Sequence, residues 1–428
     1  MMSRLVVRVL GLAAVIAASS PVLAETLYVR AGKLVDTEKG VVLPDRLIRI
    51  DDGRVTAVTP WAPPPPGAAL TDWSGYTVLP GLIDIHTHLA DTEQSANVAE
   101  PLLHSGADIA LLGAKHARDT LAAGFTSVRD VGTFRAFGDV SLRNAIDTGM
   151  VEGPRMSVAG AYLTVPGGGG EVTGMAPDVE VPAIMRMGVV TGPADMTVKA
   201  RRLFQGGADF LKLIATGAVL AAGTEPGAPE LTEEEMRAAV AEAVRNGSYA
   251  TAHAHGAEGI KLAIRAGVRS IEHASLIDDE GIALARAKGV WLVMDIYDGD
   301  YIDQVGKRDG WPAEILRKNT ETTDAQRDGF RKAVRAGVKI AYGTDAGVYP
   351  HGLNARQFRY MIRYGMTPMQ AIQSATTSAA ALMGKSADVG AVSPGHYADL
   401  IAVTGDPVAD IGVLEKVDHV MKGGKLVR

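Results

Sequence analysis

A chain of 428 residues, 47% hydrophobic and 21% charged, holds enough apolar matter for one large core and a smaller satellite domain. A net charge of −6 with no basic run argues against nucleic-acid binding, and the lack of any cysteine excludes disulfides and thiolate chemistry. Any metal must then be held by histidine, carboxylate or a less usual group.

Residues 1–24 read as a secretory leader. Arg4 and Arg8 supply a positive start, residues 9–18 are apolar but too few to span a bilayer, and Val22-Leu23-Ala24 is a small-residue cleavage site before Glu25. The expectation is export to a periplasm or beyond, with an uncleaved anchor as the alternative. No later stretch reaches the roughly 18 uninterrupted apolar residues of a span, so none is expected in the mature chain.

Residues 25–60 alternate as short strands, including 47–50 and 55–58 around the turn Asp52-Gly53. A proline run at 63–66 follows as a stiff linker. The far end mirrors this pattern at 399–403, 417–421 and 425–427. One small β-sandwich domain, built from residues 25–80 and 385–428, is therefore expected to bracket a catalytic domain over 81–384. Within that middle, strand-like runs fall at 81–88, 126–131, 155–159, 210–215, 249–255, 270–274, 290–297 and 339–344. Helices are predicted at 232–246, 258–266, 279–288 and 323–336; the first opens on the capping box Thr232-x-x-Glu235 and stops at Asn246-Gly247. Eight strands alternating with helices predict an α/β fold of (β/α)8 TIM-like barrel type, with a doubly wound open sheet as the alternative.

The chemistry lies at the predicted strand ends. In Asp84-Ile85-His86-Thr87-His88, positions i and i+2 of a strand face the same way, so His86 and His88 project together. Such a pair is poor core packing but a good divalent-metal ligand set. His253, with His255 two residues on, ends the fifth strand, His273 the sixth and Asp345 the eighth. Each alone could be structural, with Asp345 a helix cap and His273 a satisfied core histidine. A shared location at the barrel's C-terminal face makes joint coincidence a poor account. Lys212 sits inside the apolar run Phe210-Leu211-Lys212-Leu213-Ile214, where an ammonium is costly. It is expected to be neutral or converted by carbon dioxide to an anionic carbamate, unless it snorkels to solvent from an edge.

In order and placement, His86-x-His88, Lys212, His253, His273 and Asp345 resemble the binuclear metal-dependent amidohydrolase superfamily. Val78-Leu79-Pro80-Gly81-Leu82-Ile83-Asp84 and Gly395-His396-Tyr397-Ala398-Asp399-Leu400 carry the likeness toward both ends of the mature chain. The stretch from Lys212 to Thr216-Gly217-Ala218-Val219-Leu220 is similar to the loop after the lysine in the Xaa-Pro dipeptidase and imidazolonepropionase-like branch, and the chain as a whole more narrowly resembles that branch's ochratoxin-degrading members. The resemblance implies two divalent ions, zinc by preference. His86, His88 and Asp345 would hold one and His253 and His273 the other, with N6-carboxylated Lys212 and a hydroxide between them. Asp345 and Lys212 would be catalytic. The implied reaction is hydrolysis of the C–N bond of an N-acyl amino acid or dipeptide, with ochratoxin A a fitting substrate, in a homo-oligomer up to an octamer. The loop Val165-Pro166-Gly167-Gly168-Gly169-Gly170-Glu171 departs from the Gly-Gly-His common in relatives. His255 shares the inward face with His253 and is expected behind the ligands or at the substrate, while Tyr162, Val219, Leu220 and Tyr297 lie just past strand ends and are expected either to line the pocket or to serve ordinary loop packing. Rival readings are a mononuclear deaminase or imidazolonepropionase-type cyclic amide hydrolase, which generally lacks the lysine, and a non-catalytic periplasmic binding protein.

Overall fold

The structure is a computed structural model describing residues 26–95 and 97–427; the expected leader lies outside the described residues. Strands β1 (Thr26–Asp36), β2 (Val41–Asp51), β3 (Arg54–Pro60) and β4 (Ala69–Pro80) come first. Eight short parallel strands follow: β5 (Leu82–Thr87), β6 (Phe125–Asp130), β7 (Arg155–Val158), β8 (Tyr162–Leu163), β9 (Leu211–Ile214), β10 (Ala250–Gly256), β11 (Ser270–Leu276) and β12 (Trp291–Val293). The chain closes with β13 (Leu400–Val403), β14 (His419–Lys422) and β15 (Lys425–Leu426).

Both chain ends share one seven-stranded sheet in the order β15-β14-β13-β4-β1-β2-β3. The predicted hairpin is present, with Ile50 opposite Val55 and Asp51 opposite Arg54 across Asp52-Gly53. Strand β4, which the sequence reading passed over, joins the two ends: it pairs parallel with β1 and antiparallel with β13. Its outer half is mostly exposed, so no apolar alternation marks it; only Trp73 and the last four residues are buried. Val29, Ile48, Val55, Trp73, Val78, Leu400 and Met421 form the core of this sheet.

The regular parallel strands fall into two arcs, β5-β6-β7 and β8 to β12. At one junction the chain runs directly from β7 to β8 through residues 159–161. At the other, the expected strand at 339–344 is no regular strand but a hydrogen-bonded seam. Ile340 bridges Leu292, Ala346 bridges Thr87, and Ile85 N–H donates to Tyr342 O. The strands are buried along their length, as expected where helices cover a parallel sheet. The strand predicted at 290–297 stops at Val293 because a helix, Asp298–Asp309, starts soon after.

Helices Glu233–Arg245, Ala257–Ala266 and Asp279–Lys288 match their predicted positions. Thr232 and Glu235 form the predicted reciprocal cap. The helix predicted from 323 starts ten residues earlier, as Ala313–Ala336. Its added half buries Lys318, Asn319 and Thr322, a polar inward stripe that hides from a search for apolar periodicity. Among the described residues no helix is long and apolar enough to cross a membrane.

Candidate active site

The strand ends of the two arcs open into one cavity of about 170 Å³, lined by His86, His88, Lys212, His253, His255, His273 and Asp345. His86 is aimed from behind. Its Nδ1 lies 2.9 Å from Glu272 Oε2, and Glu272 accepts two bonds of 2.8 Å from the Arg129 guanidinium. Burial pushes the Glu272 carboxyl up, but Arg129 and then His86 outweigh it and hold the group well below its usual range. Glu272 is thus a fixed anion that holds the proton on His86 Nδ1 and leaves Nε2 facing the cavity. Nδ1 of His88 lies 2.9 Å from Gly132 O and 3.0 Å from the Tyr162 hydroxyl.

Asp345 faces both rings, with Oδ1 at 3.3 Å from His86 Nε2 and 3.1 Å from His88 Nε2. Burial opposes its ionisation, yet the two imidazoles hold its carboxyl well below the ordinary range. The backbone there is fixed by Asp84, which accepts from Thr344 Oγ1 at 2.5 Å and Asn354 Nδ2 at 2.7 Å. Asp345 and His273 both adopt left-handed backbone, with φ of 57° and 67°, although neither is glycine. Strain of about 1–3 kcal/mol per such residue persists only where the surroundings impose it.

On the opposite side His253, His255 and His273 cluster, with ring centroids 4.5 to 4.8 Å apart. Burial, and then neighbouring His273, drives the His253 imidazole well below its usual pKa and His255 down to about 3. These rings are neutral bases, the form that binds a metal. His255 Nδ1 meets Ser275 Oγ at 2.8 Å, and His273 Nδ1 meets Asp295 Oδ2 at 2.7 Å. Gln326 Nε2 donates to the other Asp295 oxygen at 2.7 Å. Burial and the neighbouring Asp295 charge push the Asp298 carboxyl well above its usual range, while Asp295 is held at about 2 against burial by His273.

Lys212 lies between the two groups and is buried. Desolvation lowers its pKa to about 8, against the pull of Glu272 and Asp345. It neither snorkels outward nor forms an ion pair within 4.0 Å among the described residues. The donors suit divalent ions. His86, His273 and Asp345 present ligand atoms within 4.8 Å of one another, and so do His253, His255 and His273.

Every predicted ligand residue is therefore brought to one cavity, together with Tyr162, Val219 and Leu220. Tyr297 is not among the residues that line it. Its residue leads into the helix Asp298–Asp309, its hydroxyl accepts from Arg356 Nη1 at 3.0 Å, and its ring packs against Tyr349 and Tyr360. The sequence reading missed Glu272, Arg129, Asp295, Asp298 and Gln326, which hold or surround the ligand set. One signal was present: acids at 272, 295 and 298 stand in or just after otherwise apolar strand runs.

Residues 77–427 match the Amidohydrolase family, and the chain belongs to it. Ochratoxinase of Aspergillus niger is 31% identical over 374 residues, which cover 82% of this chain and 75% of that protein. A solved Xaa-Pro dipeptidase with bound methionine superposes with a TM-score of 0.88 at 38% identity, covering 94% of this chain and 99% of its own. A solved prolidase complexed with N-methylphosphonate-L-proline gives 0.88 at 31% identity, covering 94% and 99%. The family and its solved relatives imply a TIM-like barrel joined to a β-sandwich, and the protein is a hydrolase of amide C–N bonds.

Proposed function

We propose that this protein is a binuclear amidase of carboxypeptidase type, which releases a C-terminal amino acid from an N-acyl amino acid or dipeptide. The observation that carries the reading is the convergence of two imidazole groups on buried Lys212 and Asp345. The dipeptidase, prolidase and ochratoxinase names among the relatives support the substrate class, ochratoxin A included. His86, His88 and Asp345 would hold one ion and His253 and His273 the other, with His255 beside them at the substrate. Bound there, two divalent ions, zinc in this proposal, supply Lewis acidity that lowers the pKa of water from about 15.7 toward 7.

The residues do the rest. An amine lowered to about 8 by burial is partly free at neutral pH, so Lys212 Nζ is able to add carbon dioxide, lose a proton and become a carbamate anion suited to two cations. Asp345 Oδ1 accepts a proton from the attacking water and delivers it to the departing amine nitrogen as the C–N bond breaks. Glu272 and Asp295 keep His86 and His273 in one tautomer and orientation throughout.

The grouping of His86, His273 and Asp345 around one point also favours a second reading, a mononuclear cyclic amide hydrolase or deaminase. Metal analysis with a hydrolysis screen of N-acyl amino acids and dipeptides, with and without chelator, separates the two. Two ions per chain and chelator-sensitive release of an amino acid are expected. One ion with cyclic-amide turnover would replace the proposal, and no chelator-sensitive hydrolysis at all would end it.

Three further elements belong to the same reading. The two arcs act as one (β/α)8 barrel over residues 81–384, flanked by a β domain from 25–80 and 385–428. The chain is exported with cleavage before Glu25, which mass measurement of the mature N-terminus checks. It works as a homo-oligomer.

A further inference from the structure

One wall of the cavity is the stretch 218–222, directly after β9. It belongs to a tight loop: a Cβ at Gly217 would lie 2.4 Å from Glu225 O, so the loop's start abuts its end. Thr224 Oγ1 accepts from Ala218 N at 3.0 Å and closes the ring from within. Such a loop turns several carbonyls inward, and those need donors. The Thr224 hydroxyl reaches Ala221 O at 3.1 Å and Ala218 O at 3.2 Å, and the charged donor is Lys318, on the helix Ala313–Ala336 and fully buried. Its ammonium donates to Ala221 O at 2.7 Å, Thr224 O at 2.9 Å and Ala218 O at 3.3 Å. Glu314, one turn earlier, pairs with that ammonium at 2.9 Å and accepts from Gly223 N at 2.9 Å. Lys318 and Gly223 together hold the Glu314 carboxyl below its ordinary range. The same helix lines the cavity through Ile315, Asn319 and Thr322 and supports Asp295 through Gln326.

We propose that Lys318 is a positioning residue for substrate selection: by capping three carbonyls of the 218–224 loop it fixes where Val219 and Leu220 stand, and so which side chain the cavity accepts. The proposal rests on the amide-hydrolase reading. The Lys318 ammonium is committed to loop carbonyls and to Glu314, and it is not among the residues that line the cavity with the histidines. A neutral replacement removes the ammonium from three inward carbonyls and leaves the single Thr224 hydroxyl to serve Ala218 O or Ala221 O, with Thr224 O losing its charged donor, so the loop relaxes while the imidazoles stay in place. Displacing a substrate-facing group by an ångström costs up to about a hundredfold in productive binding.

The test uses the full chain with Lys318→Met, which keeps the length of the side chain and removes its donors. Hydrogen exchange read by mass spectrometry should show residues 218–224 exchanging about tenfold faster, the scale of one lost buried bond to a charge. Metal content should match wild type. Kinetics on N-acetyl-phenylalanine and N-acetyl-glycine should show KM for the larger substrate raised about tenfold, kcat little changed, and discrimination between the two reduced. Glu314→Gln, at a partly exposed site, should move both readouts the same way by less, and it stands in if Lys318→Met fails to fold. Unchanged exchange in the loop, or an equal fall in kcat for both substrates with their ratio intact, overturns the proposal. If wild type hydrolyses neither substrate, the amidase reading fails, while the exchange result still decides whether Lys318 pins the loop.

Discussion

The floor and the wall of the cavity are built on opposite plans. Floor groups leave strand ends, and each is aimed by a near neighbour: Glu272 behind His86, Gly132 O behind His88, Ser275 behind His255, Asp295 behind His273. The wall at 218–222 is loop, held mainly by side chains that reach its main chain. The contrast divides the labour. Strand-borne groups fix the reaction to within fractions of an ångström, whereas a loop on a rigid scaffold changes its lining at little cost to the chemistry.

That division is easy to attack. The largest effect should come from Asp345→Asn, which keeps the shape of the floor but removes the proposed proton acceptor. Steady-state kinetics should show kcat reduced by about two to four orders of magnitude with KM moved far less. An unchanged kcat takes the proton role away from Asp345. Lys212→Ala should keep the fold by circular dichroism, lose one of the proposed ions and lose most activity; full metal content would contradict a bridging role. On the wall, Leu220→Ala should shift relative kcat/KM between large and small substrate side chains by about tenfold and leave metal content alone. A collapse of kcat as deep as that of Asp345→Asn would erase the distinction between floor and wall. Tyr297→Phe, outside both, should cost about 1 kcal/mol of stability by chemical denaturation and leave kinetics as they were.

The floor was legible because its residues are anomalies where they stand. Two histidines at i and i+2 of an apolar strand, and a lysine inside another, make no sense as packing. Glu272 and Asp295 were not legible, because what they do depends on register between strands. Glu272 lies opposite His253 across β10 and β11, yet its carboxylate serves His86, whose strand belongs to the other arc. No spacing along one strand encodes that. Tyr297 is absent from the lining for a local reason: a helix begins at the next residue and its ring packs into a cluster of tyrosines. The early start of the helix Ala313–Ala336 was hidden by the polar face it turns to the cavity, the very face that bears Lys318 and Gln326. Function overrode the apolar pattern there.

Strand β13 lies between β4 and β14, so residues from the end of the chain sit in the interior of a sheet begun at its start. Leu400 pairs with Pro80, and Gly81 N–H donates to Asp399 O, immediately before the strand that carries His86. Assembly of the catalytic floor is thereby tied to contacts of very high sequence separation, the kind that forms late and slowly. Until the final strands have emerged and docked, β4 keeps an open edge at its junction with β5, and a nascent or truncated chain is exposed to mispairing at the root of the strand that carries His86.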